Sequence, residues 1–540
     1  MQPTSAGQAD TAPLLLATSL STAGYVVSAI TADGYLRLQS LPFPNPQPMF
    51  NALRNAQPVQ VQTRDGRWIN GVIAGISVHL QRGRAQVPNP NDLDNLYVDI
   101  GATSAADAAA AGVEILSPVV LDRQLYSLQN GFLTAAGIAD RYGPAALVEV
   151  LRHLDPSRLD RRLIVAFVTQ NDRGLSHVMQ KFPDAQVTWL GGEALPRRLQ
   201  TVARAQVEMN WPGTPAEMID GHAVDAMVTR LETALHQDPA PLALPPPDRF
   251  PEPALPASPS AAPAPEQILP QLAAQYGVNP HEQRVRAAIQ ALLPPWAHPS
   301  VDAAGNLLLH WGDAAANAPR LLFVAHQDEI GFDVASIAPD GRLVLRSRGG
   351  GDLNFYLGHP ILVHSASGMV PGVLELPPGW QQRGFTLTGS HPDLRADIGT
   401  RSAAEVAALG ILPGDSVTIP KRYRQLLNGR ATTRAFDDRV GDTALVAAAW
   451  ALGESLPGRD VTFAWSTGEE IGLVGAGALA KQLSDAQRTP TYVFAIDTFV
   501  SSDSPLESHR FADTPIGAGF VIRAIDNSSL DPWQLARRLQ

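Results

Sequence analysis

The sequence predicts an α/β protein built from two diverged copies of one α/β domain, each interrupted by a small β-rich insert. Three observations support this prediction. The chain of 540 residues is too long for one typical domain. A proline-rich segment divides it near the middle, and blocks of sequence that precede this segment recur after it in the same order. With 45% hydrophobic residues the chain has enough apolar surface for several packed cores, which excludes global disorder.

The proline-rich segment lies between Pro239 and Pro265, where 11 of 27 residues are proline. Such a segment forms neither a helix interior nor a central strand, and it behaves as an extended spacer. We therefore predict a first copy at 1–238, a linker at 239–264 and a second copy at 265–540.

Four blocks of sequence occur in both copies. GYVVSAITADGYLRL from Gly24 corresponds to GFDVASIAPDGRLVL, and DIGATSAADAAAAGVEI from Asp99 corresponds to DIGTRSAAEVAALGILP. NGFLTAAGIADRYGPAALV from Asn130 corresponds to NGRATTRAFDDRVGDTALV, and RRLIVAFVTQNDRGL corresponds to GRDVTFAWSTGEEIGL. The offset is 307 residues for the first pair and 298 for the other three. Four blocks in one order indicate an internal duplication.

The second copy has the clearest order of elements. Helical spacing predicts helices at 265–277 and 279–293, and LLLHW and RLLFVA are typical of strands. From about Phe332 to Ile419, short β-rich segments alternate with glycine and proline turns around one helix, SAAEVAALG. A long helix, the strand VTFAWS, a second helix and the strand YVFAID complete the α/β pattern. The predicted boundaries are an insert at about 31–120 in the first copy and, in the second copy, catalytic parts at 265–337 and 432–540 around an insert at 338–431.

Composition narrows the possible functions. The net charge of −11 argues against binding to nucleic acid or to an anionic membrane. The absence of cysteine excludes disulfides, thiolate metal sites and a cysteine nucleophile, so histidine and carboxylate ligands must hold any metal. Residues 12–32 carry no charge, but they lack the basic start and pure apolar core of a signal peptide. We therefore expect a soluble cytoplasmic protein.

In the second copy, acidic side chains and one histidine follow predicted strands or precede predicted helices, where ligands bind in α/β sheets. The strand RLLFVA ends at His326, and Asp328 lies close enough along the chain to orient a metal-binding imidazole. Asp437 and Asp438 precede the long helix, where one aspartate would act as a cap and leave the other free to bridge metals. The structural alternatives are a buried histidine with a partner and simple helix capping.

Three more carboxylates follow the next two strands. Glu469 and Glu470 come directly after VTFAWS, where they either complement a helix dipole or serve a metal and a water. Asp497 closes the strand YVFAID, and a carboxylate in that position must be paired or metal-bound if it is buried. Each signal is weak alone, but their order in one α/β frame is a strong indication of a metal site.

In this order the motifs resemble the dinuclear aminopeptidases of the tetrahedral-particle, glutamyl-aminopeptidase-like family. The resemblance runs from about Pro265 to the end of the sequence and includes AGN, HQDEIG, DIGTRS, AFDDRVG, GEEIGLVGA and AID. It implies a phosphorylase/hydrolase-like α/β catalytic domain in each copy, with a β-insert used for dimerisation. It also implies self-compartmentalised particles, which many members form.

The resemblance further implies a role for each candidate side chain. Glu469 would be the general base, and Asp328 would orient the histidine. The cofactors would be two divalent metal ions, which we expect to be zinc or cobalt. The implied ligands are His326, Asp437 and Asp497 for one ion, and Asp437 and Glu470 for the other.

Two features depart from the family pattern, and the first concerns the second metal ion. In the family that ion takes one more histidine, further along the chain, in an Arg-Tyr-x-His-Ser-Pro type motif. This sequence ends 43 residues after Asp497, and His509 lies too early, so we expect a C-terminally truncated sequence or an incomplete site. The first copy contains a similar tail from Asn210, in which Gly213 stands where the histidine should be.

The second departure is the first copy itself, which lacks nearly every candidate ligand. One carboxylate and two hydroxyls would bind a divalent ion only weakly, so we interpret this copy as degenerate and non-catalytic. We expect Asp172→Ala to leave metal content and activity unchanged. The residues at the matching positions are Ser19, Ser21, Ala139, Asn171 and Asp172.

The sequence therefore predicts a metal-dependent aminopeptidase that hydrolyses N-terminal residues from short peptides, with Glu469 as the general base toward a water activated by two metals. One alternative is a catalytically incomplete pseudoenzyme that acts as a scaffold or binds peptides. A further alternative is a related dinuclear deacylase or carboxypeptidase. The expected partners are short peptides and, for assembly, either further copies of the chain or an internal pseudo-dimer. No nucleic acid or membrane is expected to bind.

Overall fold

The structure is a computed structural model. It describes residues 12–41, 51–75, 77, 89, 91–170, 172–191, 199, 202–312, 318–351, 353–377, 394–504, 514–523 and 537. We call residues 12–238 the first half and residues 265–523 the second half. In this described part of the chain, no helix has the length and apolar character needed to span a lipid bilayer.

The first half is rich in strands. They are β1 (Leu14–Ser19), β2 (Gly24–Ile30), β3 (Leu36–Leu41), β4 (Pro58–Gln62), β5 (Trp68–Ala74), β6 (Tyr97–Asp99), β7 (Pro118–Leu121), β8 (Tyr126–Ser127), β9 (Phe132–Ala135), β10 (Leu163–Val168), β11 (Gln186–Leu190), β12 (Ala203–Ala205), β13 (Met209–Asn210) and β14 (Glu217–Asp220). The α-helices are α1 (Ala105–Ala110), α2 (Tyr142–Arg152), α3 (Asp172–Lys181) and α4 (Gly221–Ala234).

The second half begins with helices that the first half does not have at its start. The α-helices are α5 (Pro265–Ala273), α6 (Gln283–Leu292), α7 (Ala403–Ala408), α8 (Phe436–Leu452) and α9 (Val474–Asp485). The strands are β15 (Ser300–Val301), β16 (Leu307–Gly312), β17 (Arg320–His326), β18 (Gly331–Ile337), β19 (Leu343–Arg348), β20 (Pro360–Ser365), β21 (Gly368–Leu374), β22 (Arg395–Asp397), β23 (Ser416–Thr418), β24 (Arg424–Gln425), β25 (Ala431–Thr432), β26 (Asp460–Ser466) and β27 (Tyr492–Ala495).

Each half contains a sheet with parallel strands, so the predicted α/β fold class is confirmed. The first sheet has the order β10-β1-β11-β12, and every neighbouring pair in it is parallel. The second has the order β15-β16-β26-β17-β27, in which β26, β17 and β27 are parallel to one another. The central strands are nearly continuous apolar runs because helices cover the faces of a parallel sheet.

Each half also contains a closed barrel of six strands. The orders are β2-β3-β6-β5-β4-β7 and β18-β19-β22-β21-β20-β23, which correspond strand by strand. The first strand of each barrel has an irregular register, between Val27 and Ala29 in one and between Val334 and Ser336 in the other. An extra residue at such a bulge bends the strand and helps a small barrel to close. An internal duplication predicts this correspondence.

Both barrels start earlier than the insert boundaries inferred from the sequence, and the second barrel also ends earlier. The boundaries at about 31 and at 338 leave β2 and β18 outside the inserts, whereas these strands close the barrels by pairing with β7 and β23. The second boundary at 431 includes β24, which pairs with β25 in a separate two-stranded sheet. Closure of a barrel depends on which strands pair, and a strand pattern along the chain does not contain that information.

Helix α8 shows how the sequence positions one of the candidate ligands. Its buried residues Leu445, Val446 and Ala449 recur at helical spacing and pack in one core with the apolar strands β17 and β26. The helix ends before Gly453, whose φ of 77° favours glycine. This packing holds the start of α8, where Asp437 lies, near the end of β17.

The two halves contact each other through corresponding residues. Asn130 and Asn428 lie in matching turns, and both have a φ of 54°. The side-chain amide of Asn130 donates to the carbonyl of Gly399 (3.0 Å), and that of Asn428 donates to the carbonyl of Gly101 (3.1 Å). The two asparagines are 298 residues apart in the sequence, and so are the two glycines. Each half therefore makes on the other the same contact that it receives. Such reciprocal contacts are the mark of a local two-fold relationship.

The proline-rich linker is extended and is docked on both halves. Asp248 accepts a hydrogen bond from the backbone N–H of Ser127 in the first half (2.7 Å). Phe250 and Met369 of the second barrel exchange two backbone hydrogen bonds (3.0 and 2.8 Å). Glu252 pairs with His364 (2.7 Å). These contacts add to those that hold the halves together.

We expect Val165→Asp to destabilise the first half. Val165 lies in β10, pairs with Leu16 of β1 and packs against the core beneath α2. An aspartate there loses apolar contact and places an unpaired carboxylate among apolar side chains, at a cost of about 2–3 kcal/mol. Urea unfolding followed by circular dichroism measures the change. Phe167→Asp is the control, because Phe167 is exposed on the same strand; an equal loss in both variants would contradict the packing argument.

Candidate metal centre

The carboxyl ends of three parallel strands meet at one edge of the second sheet. β17 ends at His326, which lies opposite Ser466 at the end of β26. On the other side, Val324 pairs with Ala495 of β27, so Asp497 follows at the same edge. The topology thus gathers side chains that are far apart in the sequence, at the place where ligands bind in α/β sheets.

Three of the predicted metal ligands lie together at this edge. The ligand atoms of His326, Asp437 and Asp497 are all within 4.8 Å of one another. The Nε2 atom of His326 is 2.9 Å from Oδ1 of Asp437. His326 is buried, whereas Asp437 and Asp497 are exposed, so the group opens toward solvent on its acidic side.

Asp328 connects the histidine to the loop of the two glutamates. It is fully buried, and its Oδ1 lies 3.4 Å from Nδ1 of His326. It also accepts hydrogen bonds from the backbone N–H groups of Glu469 (2.9 Å) and Glu470 (3.1 Å). From the sequence, only the contact of Asp328 with His326 was expected. A single carboxylate therefore positions both the imidazole and the loop after β26.

Glu469 and Glu470 lie in a loop and not in the first turn of a helix, because α9 begins only at Val474. Oε2 of Glu469 is 3.9 Å from Nε2 of His326, and burial raises the pKa of Glu469. Burial, followed by the charge of Asp437, raises the pKa of Glu470 to about 8. Glu470 is not part of the three-residue group above, but it lines a cavity of about 540 Å³ together with Asp437.

The two aspartates that start α8 have different partners. Asp438 is buried and accepts hydrogen bonds from the backbone N–H groups of Gly441 (2.8 Å) and His326 (3.2 Å). The bond to Gly441, three residues on, is that of a helix cap. Asp437 instead faces His326, with its Oδ1 2.9 Å from Nε2 of the imidazole.

The donors and charges of this edge fit a divalent cation. One imidazole and several carboxylates are the ligand types that zinc and cobalt accept in the absence of thiolates. Although Asp497 is exposed as a residue, partial loss of water around its carboxyl group and then the charge of Asp437 raise its pKa, so like charges converge here. Burial lowers the pKa of His326, but hydrogen bonds to Asp328 and Asp437 outweigh it and raise that pKa to about 12. A bound cation would reduce the repulsion between these carboxylates, which in its absence favours protonation of Asp497 and His326.

A buried ionic cluster, which the sequence did not predict, lies behind the site. Glu329 accepts hydrogen bonds from the backbone N–H of Gly277 and from Nζ of Lys421, both at 2.8 Å. Nη2 of Arg439, which is also fully buried, lies 3.8 Å from Glu329. Lys421 follows the last strand of the second barrel, so the cluster ties that barrel to the segment of His326 and Asp328. In the sequence, the cluster is marked only by Glu329, the acidic residue directly after Asp328. A single glutamate there does not predict a buried ion pair.

The matching edge of the first sheet is different. Ser19 is buried, and its hydroxyl accepts a hydrogen bond from the N–H of Ser21 (2.9 Å). The N–H of Ala139 donates to Glu217 (2.8 Å), whose pKa burial raises to about 7. Among the residues of the first half that the structure describes, no three metal-binding side chains converge. Outside the described residues lie Asn171, the side chain of Asp172 and, in the second half, His509.

We expect Asp328→Asn to lower activity and metal affinity by about 10- to 100-fold, as the loss of a partner that orients a metal ligand typically does. An asparagine has only one acceptor oxygen, so it cannot accept from both loop N–H groups and also face the imidazole. Calorimetric zinc titration and peptide hydrolysis measure the two effects. Asp340→Asn is the control, since Asp340 lies on the barrel surface and pairs with Arg395; equal values for the two variants would contradict the assigned role.

Comparison with known proteins gives the chain a family. A family model described as M42 glutamyl aminopeptidase matches residues 4–178 and 305–540, which is more than half of the chain and includes parts of both halves. The match covers all of the candidate site residues in the second half.

The curated relatives described here each align with less than half of the chain. A glutamyl aminopeptidase of Lactococcus lactis is 29% identical over 236 residues, which cover 42% of this chain and 63% of that protein. A lysyl aminopeptidase of Pyrococcus furiosus is 30% identical over 179 residues, which cover 33% of this chain and 50% of that protein. The chain thus spans less than two thirds of these curated relatives. The solved TET1 peptidase of Pyrococcus horikoshii is 34% identical, with 51% of this chain and 80% of that chain covered and a TM-score of 0.44.

Proposed function

The chain belongs to the M42 glutamyl aminopeptidase family, and on this premise we propose that its second half is a metal-dependent aminopeptidase that removes N-terminal residues from short peptides. The family resemblance inferred from the sequence motifs is thereby confirmed. The observation that carries the proposal is the convergence of His326, Asp437 and Asp497 within 4.8 Å at the carboxyl edge of the sheet. Glu469 lies 3.9 Å from His326 beside this group.

In this proposal, two divalent ions, zinc or cobalt, are the cofactors. His326, Asp437 and Asp497 would hold one ion, and Asp437 and Glu470 would contribute to holding the other. When bound, such ions lower the pKa of a water and polarise a peptide carbonyl. The exposed acidic side of the cluster also suits the free N-terminal amino group of an aminopeptidase substrate.

The residues of the chain supply the proton transfers and the orientation. Glu469 would accept a proton from the attacking water and deliver it to the leaving amine. Its raised pKa brings the carboxyl nearer to neutral pH, where a group can both take up and release a proton. Asp328 would hold the imidazole of His326 and, through two backbone N–H groups, the loop that carries Glu469.

A second candidate is a peptide-binding pseudoenzyme. It is favoured by the position of Glu470 outside the compact group of three ligands, which leaves the second ion fewer convergent donors among the described residues. The two candidates differ in turnover and agree in peptide binding, so binding alone does not separate them.

The test is metal analysis combined with a panel of aminoacyl p-nitroanilides on the full 540-residue chain. The aminopeptidase proposal expects stoichiometric zinc or cobalt and hydrolysis that a chelator abolishes and added metal restores. Stoichiometric metal without hydrolysis of any anilide or tripeptide would establish the pseudoenzyme instead. Absence of metal after loading with zinc and with cobalt would contradict the proposed metal centre.

For assembly, we propose that the two halves form an internal pseudo-dimer. The reciprocal contacts of Asn130 and Asn428 with the opposite half support it. The sequence suggested that the two inserts pair with each other. In this proposal the second insert also contacts the turn after β8 of the first half, and the first insert contacts the turn after β24 of the second half. Further association of whole chains and a cytoplasmic location stay predictions.

A further inference from the structure

The interface between the halves encloses the cavity that reaches the candidate metal centre. One cavity of about 540 Å³ is lined by Asp437 and Glu470 at one side and by residues of the first half at the other. This volume is typical of a small-molecule site. Several lining residues correspond to each other in the two copies, such as Thr134 and Thr432, so the cavity lies across the local two-fold relationship. A molecule held at the centre therefore touches both halves.

The wall that the first half contributes is mainly apolar. In β5, Gly71 and Ile73 face the barrel core, where Ile73 is fully buried. Since side chains alternate along a strand, Val72 points away from that core, and it lines the cavity half-buried. The apolar lining residues of this wall include Pro58, Val72, Ala74, Leu121, Ala135 and Ala136.

The charged side chains of the cavity, apart from those at the metal centre, already have partners. Asp122 of the first half accepts from Arg422 (3.1 Å) and Arg424 (2.8 Å) of the second half. Arg434 donates to two backbone carbonyls and lies 4.0 Å from Glu329. Burial lowers the pKa of His359, which also lines the cavity, to about 4, so this imidazole is neutral near pH 7. A charged substrate side chain would have to displace one of these pairs, whereas an apolar one would not.

We propose that the first half, although it lacks the metal ligands, forms one wall of the substrate cavity and selects peptides with an apolar N-terminal side chain. This inference rests on the function proposed above. The N-terminal amino group of the peptide lies at the end of the cavity formed by Asp437 and Glu470, and its first side chain extends toward Val72 and its neighbours. Val72 is then a specificity-determining residue supplied by the half that has no catalytic group.

The test compares Val72→Asp with Val26→Asp in the full chain. Val26 is the matched control, because it is half-buried on the outer face of the same barrel and does not line the cavity. The kcat/KM values for alanyl, leucyl, phenylalanyl, lysyl and glutamyl p-nitroanilides are measured for every variant and for the unaltered chain. A third variant, Val72→Phe, adds bulk without charge and covers the case in which Val72→Asp does not fold.

The unaltered chain should prefer the leucyl and phenylalanyl substrates. Val72→Asp should raise the lysyl-to-leucyl ratio of kcat/KM by about tenfold or more, since an unpaired carboxylate favours a cation and disfavours an apolar group. Val72→Phe should lower the ratio of phenylalanyl to alanyl turnover, whereas Val26→Asp should leave all ratios within about twofold. Unchanged ratios in folded Val72 variants, or a preference of the unaltered chain for glutamyl or lysyl substrates, would overturn the proposal.

Binding separates this inference from the proposed catalysis. Affinities of Leu-Gly-Gly and Lys-Gly-Gly are measured by calorimetry for the unaltered chain and the Val72 variants. If these affinities shift as expected while no substrate is hydrolysed, the cavity assignment holds and the aminopeptidase proposal fails. If hydrolysis occurs but neither affinities nor ratios respond to Val72, the cavity assignment fails and the aminopeptidase proposal stands. Absence of both binding and hydrolysis overturns both.

Discussion

Glu469→Gln is expected to lower kcat by a factor of about 10²–10⁴, the usual contribution of a general base, while metal content stays the same. Glutamine has nearly the shape of glutamate, so the loop held by Asp328 keeps its hydrogen bonds. It cannot take a proton, however, and the attacking water then has no base at that position. The rate of leucyl p-nitroanilide hydrolysis gives kcat, and mass spectrometry of the same sample gives the metal content.

Glu454→Gln is the matched control for this experiment, because Glu454 is exposed and follows the C-terminal end of α8, whereas Asp437 lies at the other end of that helix. It should keep full turnover. A Glu469→Gln variant that retains most of its turnover would remove Glu469 from the mechanism. Loss of metal in that variant would instead mean that Glu469 acts as a ligand.

Asp437→Ala is expected to abolish hydrolysis and to remove most bound metal. Its carboxylate belongs to the three-residue group, lies 2.9 Å from His326 and is also assigned to the second ion, so no other single residue is shared by both proposed sites. Without it, His326 and Asp497 remain as proposed ligands of one ion and Glu470 alone remains for the other, which is too few to hold either divalent charge tightly. Zinc titration by calorimetry and hydrolysis of the anilide panel measure the loss.

Glu470→Ala provides a graded comparison, because it removes a ligand of only one proposed ion and should leave about half of the metal. Asp485→Ala is the surface control, since Asp485 forms an exposed pair with Lys481. Full metal content in Asp437→Ala would contradict the bridging role. Equal metal content in Glu470→Ala and the unaltered chain would refute the assignment of Glu470.

Much of the architecture was predictable because it depends on patterns that are local along the chain. The apolar runs RLLFVA and VTFAWS specify buried strands, and the polar residues that end them mark the carboxyl edge of the sheet. A duplication was predictable because matching turns repeat their asparagine and glycine residues, for example at Asn130-Gly131 and Asn428-Gly429. The short helices α1 and α7 likewise start after a serine cap in each copy. These signals need no knowledge of contacts between distant segments.

The limits of the sequence appear at residues whose role depends on distant partners. Asp328 was visible as a neighbour of His326, but its bonds to the backbone of Glu469 and Glu470 join segments more than a hundred residues apart. The buried pair of Glu329 and Lys421 was missed for the same reason. Glu470 was assigned to a metal by resemblance, and the structure places it beside the cavity and outside the compact group of ligands.

The sequence by itself determined the α/β class and the family, and it predicted two copies, a linker between them and a set of acidic site residues. Only the tertiary structure decided where each barrel closes, which carboxylates meet His326, and that Val72 of the first half shares a cavity with Asp437 of the second. The physical reason is that secondary structure and motifs arise from interactions between near neighbours in the chain. Strand pairing, charge convergence and cavities arise from packing between segments that are far apart in the sequence. The sequence distance between two such segments does not indicate whether they meet in the fold.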